Sequence, residues 1–256
     1  MDQLIVQFEH TGFFDLIADA LFHYREASAC RRAQDLGASY RANRHARTSI
    51  VASIFSVECA ANCLIEALDV SRPLKQEIDK LNVLAKFDLY AVTTNSMQVD
   101  RSDARCQKIV ELVQARNAFV HPRRKRTKVE VDGLSETEAD HMVGVSIESE
   151  QYPALGIPMW PVFWIDSSAE KALTTSCDFL SWYFTDLLKW EPARVFELLA
   201  SRMVVGDHAV TAVFEEIYDE IRTVGGKFNF AYLNVPDELE PARRETLYRR
   251  VPTDHG

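Results

Sequence analysis

The sequence predicts a mostly α-helical fold: a helical bundle carrying an inserted irregular or β-hairpin segment, with extra C-terminal helices. Three observations carry that expectation. Apolar residues recur every three to four positions along most of the 256-residue chain, the period of a helix with one buried face. Residues that start and stop helices bracket these runs. One stretch, residues 123–166, breaks the pattern with β-branched pairs, an Asp-Gly turn and a cluster of prolines and aromatics. A composition of 47% hydrophobic and 10% aromatic residues is ample for a large core.

Taken in order, Phe13, Ile17, Leu21 and Tyr24 mark a first amphipathic helix from Phe13 to about Arg32, closed by Gly37. The basic stretch "RANRHAR", Arg41 to Arg47, stands ahead of a second helix from about Thr48 to Leu68. There Ile50, Ile54, Val57, Ala61 and Leu64 form one stripe, and small residues permit close approach, so this is the central helix. Pro73 resets the chain, and Leu74, Ile78, Leu81 and Leu84 suggest a single third helix. A fourth runs from about Asp103 to Val120 and stops there, because Pro122 pushes His121 out of the α region. The inserted segment follows, with "TKVEV" and "VGVSIES" around Asp132-Gly133 and then "YPALGIPMWPVFWID".

Ser167 and Glu170 have capping-box spacing for a long helix to about Trp190, carrying Leu173, Cys177, Leu180, Phe184 and Leu187. Pro192 fits the first turn of a helix to Met203, and Asp207 can cap a last one with Ala209, Val213, Ile217 and Ile221 inside. Glu215, Glu216, Asp219 and Glu220 then form the solvated face of that helix rather than a metal site. The expected organisation is an N-terminal helix and connector (1–47), the bundle (48–192, insertion 123–166) and a C-terminal helical extension (193–256).

Charge and cysteines narrow the function classes. The net charge of -9 argues against a general nucleic-acid binder, yet residues 101–128 hold nine Lys or Arg against Asp103 and Glu111. That segment carries +7 and the remainder -16, and a local field of this kind can bind phosphates whatever the total. Five cysteines without a CxxC or clustered His-Cys spacing read as buried thiols in a reducing compartment, not as disulfides or zinc ligands. The N-terminus lacks the basic region of a signal peptide, and the apolar runs are broken by charges short of a membrane span, so the expected location is cytoplasmic. No Gly-rich phosphate loop, GxSxG or HExxH is present, and neither a cofactor nor a metal is expected.

The densest chemistry is "QARNAFVHPRRKR", Gln114 to Arg126. Asn117 and His121 are four apart and share a helix face, while Arg116 is rotated from His121 by about 140°. Arg116 also falls in the otherwise apolar stripe of Ile109, Val113 and Val120, where a charge is costly unless it is paired or lines a polar cleft. Arg followed loosely by His recurs at Arg202 to His208 and Arg250 to His255; with Asn directly after the Arg and three residues between it and the His, the pattern occurs once.

"RNAFVH" at the end of a bundle helix resembles the Arg-Asn-x-x-x-His signature of the HEPN superfamily, helical domains of toxin–antitoxin, phage-defence and RNA-processing ribonucleases. The resemblance is specific at these six residues and extends by pattern over about Ser49 to Trp190. It implies a metal-independent endoribonuclease, a hydrolase acting on RNA as a homodimer with a composite cleft, and in the toxin case an antitoxin protein as partner. His121 would be the catalytic histidine, Arg116 the phosphate-stabilising arginine and Asn117 the orienting group. Glu58 and Asn62, on the second helix, would support the motif. Arg123, Arg124, Lys125, Arg126 and Lys128 would track the RNA backbone, while Tyr152, Trp160, Phe163 and Trp164 either stack bases or pack the loop. Two other readings stand beside this one: a non-catalytic HEPN-like module binding RNA, a nucleotide or a protein, and a structural helical protein.

Overall fold

The computed structural model describes residues 6–33, 37–122, 150–205, 208–224, 226–233 and 235, and over these the protein is mostly helical. The expected hairpin at 123–149 and the basic run Arg123 to Lys128 lie outside the described residues, as does the tail beyond 235. The centre of the fold is α2, Ala38–Glu66, 29 residues and about 43 Å long. α1, Phe13–Arg32, and α6, Asp166–Ser181, pack along it. α4, Val83–Asn95, and α5, Ala104–Val120, also lie against it.

Small residues let α2 sit this deep. Ala42, Ala46, Ala60 and Ala61 are buried beside Ile50, Ile54 and Leu64, and the buried serines satisfy their hydroxyls on backbone carbonyls. Ser49 donates to Ala20 O at 2.7 Å, Ser53 to Ser49 O at 2.7 Å and Ser176 of α6 to Ser53 O at 3.2 Å. By length and composition α2 is apolar enough to cross a membrane: an 18-residue window of it has a mean hydropathy of 1.6. Its apolar character matches its place in the core, since 61% of that window is buried inside the bundle.

α2 begins at Ala38, ten residues before the expected Thr48, so "RANRHAR" is part of the helix. Alanine and arginine are good helix formers, and Ala42, Asn43 and Ala46 are buried there. The expected third helix is two: α3, Arg72–Ile78, and α4, separated where Asn82 caps α4 by accepting the Ala85 N–H at 2.9 Å. Leu74 and Leu81, assigned to the buried stripe, are exposed. α5 ends at Val120 with His121 as its C-cap, as Pro122 requires.

α6 starts at Asp166, and its first turn is closed by Ser168, whose hydroxyl accepts the Ile165 N–H at 3.3 Å, not by the Ser167/Glu170 pair. Glu170 instead accepts from the Tyr24 hydroxyl and pairs with Lys227. The helix continues through a π-helical turn, Trp182–Leu187, where the Tyr183 hydroxyl donates to Phe87 O at 2.8 Å.

The C-terminal region is not purely helical. α7 is Pro192–Leu199 and stops before Met203, which lies in a strand, Arg202–Val205. Ala209 is in a second strand, His208–Thr211, and α8 is the shorter Glu215–Thr223, its expected cap Asp207 lying outside the described residues. With Val6–Glu9 as β1, these strands, β2 and β3, form an antiparallel sheet in the order β1-β2-β3, with Phe8 opposite Met203 and Met203 opposite Val210. α8 packs on α1, burying Ile217 and Ile221 and leaving Glu216 and Asp219 exposed; Glu220 pairs with Arg25 at 2.7 Å.

Candidate active site

The end of α5 is positioned from two sides. From α2, Asn43 places its amide nitrogen 2.8–3.0 Å from the carbonyls of Pro161, Val162 and Trp164, tying the connection after the insertion to the central helix. Trp164 is fully buried, donates its indole N–H to Pro158 O at 2.7 Å and packs on Phe119 of α5. From α5 itself, Glu111 accepts the backbone N–H groups of Ala154 and Leu155 at 2.8 and 2.6 Å. Of the aromatics of this connection, Tyr152 and Trp164 are buried in the packing, while Trp160 and Phe163 are half-buried and stack on each other.

Arg116 turns inward. Its guanidinium pairs with Glu58 of α2 and lies over the Phe55 ring, 5.4 Å from the centroid. Side-chain exposures of 18% for Arg116 and 26% for Glu58 make this a largely desolvated pair, and the arginine Nε is buried without a hydrogen-bond partner. Burial pushes the Arg116 pKa down from its ordinary value, but a guanidinium stays charged throughout the physiological range. Glu58, named as a supporting residue, thus meets the arginine of the motif.

Asn117 and His121 face the other way. Both are exposed, and among the described residues neither makes a side-chain hydrogen bond, to Arg116 or to each other. They belong to the outer stripe of α5 with Val110 and Gln114, and Val120 is exposed beside them at 42%. Within one chain, then, the motif holds an anchored guanidinium on one side of the helix end and a free imidazole and carboxamide on the other.

Asn62 does not join the motif. One turn beyond Glu58, it accepts a hydrogen bond at 2.6 Å from Lys86 of α4, a buried ammonium that also pairs with Asp79 at 3.2 Å. A buried ammonium needs acceptors, and that demand orients Asn62. Asn62 lines a separate cleft of about 810 Å³ together with Cys59, Cys63, Tyr90, Trp190 and Arg194. The thiols are not uniformly buried as expected: Cys106 and Cys177 are, while Cys30, Cys59 and Cys63 are partly exposed. Burial pushes the Cys106 thiol up to about 11, whereas a hydrogen bond from Cys63, helped by the Gly12 backbone, lowers the Cys59 pKa.

Sequence reading missed Phe55 and Phe119 as the rings against which Arg116 and Arg47 lie, the latter with its guanidinium carbon 5.5 Å from the Phe119 centroid. The helical phase of Phe55, three residues before Glu58 and on nearly the same face, was the available signal. Among the described residues no group of three or more His, Cys, Asp or Glu could hold a metal ion. No protein-family model, curated protein or solved structure matches this chain.

Proposed function

We propose that this protein is a metal-independent endoribonuclease of the HEPN type, a toxin or phage-defence effector acting in the cytoplasm as a homodimer. The observation that carries the reading is the helix end itself: an exposed His121 and Asn117 beside an arginine whose charge is held in place by Glu58 and Phe55. RNA supplies its own nucleophile, so the protein needs to move a proton and stabilise a more negative phosphorane. In the proposed step the 2′-oxygen attacks the adjacent phosphorus and loses its proton, the bond from phosphorus to the 5′-oxygen breaks, and that oxygen leaves with a proton. The products are a 2′,3′-cyclic phosphate and a 5′-hydroxyl.

His121 fits the proton transfer because an imidazole can both accept and donate a proton and its ring is exposed. Arg116 fits charge stabilisation because its fork of donors matches phosphate oxygens. Asn117 orients the imidazole or a phosphate oxygen without adding charge. Two copies paired along the outer α5 stripe would bring both His121 and Asn117 pairs to one cleft, which Arg116 joins by turning from Glu58 to the substrate phosphate. DNA, which has no 2′-OH, is spared.

A mixed RNA pool incubated with chelator tests this. Wild type is expected to cut, and His121→Ala and Arg116→Ala each to lose about 10²-fold or more in rate while remaining folded. A second reading, a non-catalytic module binding RNA, a nucleotide or a protein, is favoured by one observation: Glu58 already occupies Arg116. A folded, dimeric wild type that binds RNA without cutting it would select that reading.

A further inference from the structure

Where α1 runs against α2, His23 and His45 meet with their Nδ1 atoms 2.9 Å apart and their ring centroids 5.1 Å apart. At that distance one nitrogen donates and the other accepts, so a single proton lies between them. Three arginines, Arg41, Arg44 and Arg47, follow at three-residue intervals on α2, and with the histidine pair they line a cleft of about 320 Å³. Thr48 and Phe119 complete its wall. Among the described residues no carboxylate lines it.

Arg44 and Arg47 bring like charge together at this wall, which is self-repulsive unless an anion is bound between them. Phe119 fixes Arg47 by its ring face, while the arginine Nε is buried without a hydrogen-bond partner. The Arg44 guanidinium has no acidic partner among the described residues. A metal ion does not fit, because three guanidinium groups repel a cation and two histidines are too few ligands. Asp19 and Glu26 on α1 are near enough to favour the charged form of His23, but burial and His45 outweigh them and keep its proton affinity low. Guanidinium forks beside an imidazole pair that shares one proton are a donor set suited to an oxyanion.

We propose that this cleft binds a phosphate group, and that in the working protein the group is a phosphodiester of single-stranded RNA. Its volume is at the lower end of the range for small-ligand pockets, enough for one phosphate and part of its nucleoside. Phe119, two residues before His121, places the cleft at the same end of α5 as the motif. Phosphate binding stands independently of the ribonuclease reading; the assignment to RNA rests on it.

The test uses the full chain with a fluorescein-labelled short RNA, inorganic phosphate and AMP as probes. Wild type, Arg44→Gln and Arg44→Gln/Arg47→Gln are compared by fluorescence anisotropy at several salt concentrations. Imidazole resonances of His23 and His45 are followed as phosphate or AMP is added. The double variant is expected to bind RNA about tenfold more weakly or worse, with a salt slope reduced by about 0.7, the loss of one phosphate contact to a single strand. Phosphate should shift both imidazoles in wild type and neither in the double variant. If Arg47→Gln prevents folding, the exposed Arg44→Gln alone carries the comparison.

Unchanged RNA affinity and slope, with imidazoles that ignore phosphate, would overturn the site. Shifts by phosphate and AMP that Arg44→Gln abolishes, in a protein that neither binds nor cuts RNA, would uphold the phosphate site with a free nucleotide as its source and reject the ribonuclease reading. Weaker binding by Arg44→Gln, with cutting at subsaturating RNA reduced in the same proportion, would uphold both.

Discussion

Arg116 decides the charge balance of the candidate site, and its partner can be removed without touching the motif. Glu58→Ala leaves a mostly buried guanidinium with only the Phe55 ring against it, which is expected to destabilise the fold by about 1–3 kcal/mol in urea unfolding. Glu58→Leu combined with Arg116→Met should cost less than the two single changes added together, and additivity within about 0.3 kcal/mol would contradict the desolvated pair. Residues of one helix were legible here. Asn117 and His121 share a face because they are four apart, and an inward Arg116 has to be paired, although which residue of a neighbouring helix meets it is decided by packing. His23 and His45 were not legible, since the meeting of two rings on different helices depends on which faces pack together, and helical spacing does not encode that. Asn62 was misassigned for the same reason: Lys86 of α4 claims it.

α5 is the element on which the account depends, and its first turn is held by Asp103. The Asp103 carboxylate accepts the Arg105 N–H at 2.8 Å and pairs with its guanidinium, and Asp103→Ala is expected to cost about 1 kcal/mol at neutral pH. The Arg105 side chain holds the Asp103 carboxyl at about 2, below its ordinary 3.8. A lowered carboxylate pKa contributes stability above the unfolded value and loses it as pH falls through the folded one. Wild type should therefore lose stability between about pH 4 and 2 more steeply than Asp103→Asn. Equal slopes in acid titrations followed by circular dichroism would contradict this role. Strong periodicity made α1, α5 and the start of α7 readable. The early start of α2 was hidden because the buried Ala42 and Ala46 sit among arginines, and the sheet was missed because its strands have four residues each and pair Val6 with Val205 across nearly the whole chain.

At the scale of the whole molecule, an acidic chain concentrates its positive charge near one helix end, with the Arg41 to Arg47 segment of α2 against Phe119 of α5. The outer α5 stripe of Val110, Gln114, Asn117 and His121 is the face the proposed homodimer uses. Val110→Glu is expected to shift the protein toward monomer in sedimentation velocity and to reduce cutting with it, because two carboxylates would then face each other across the two-fold axis; a dimer that is unaffected would place the interface elsewhere. The central claim is that the substrate supplies the nucleophile. Its most direct measurement is single-turnover cutting, in chelator, of one RNA and of the same strand with a single 2′-deoxy sugar at the cleavage position. The account predicts cutting of the first to a 2′,3′-cyclic phosphate and a 5′-hydroxyl, and no cutting of the second at that position. Cleavage of both strands at the same bond, or loss of all cutting once the chelator is present, would contradict it.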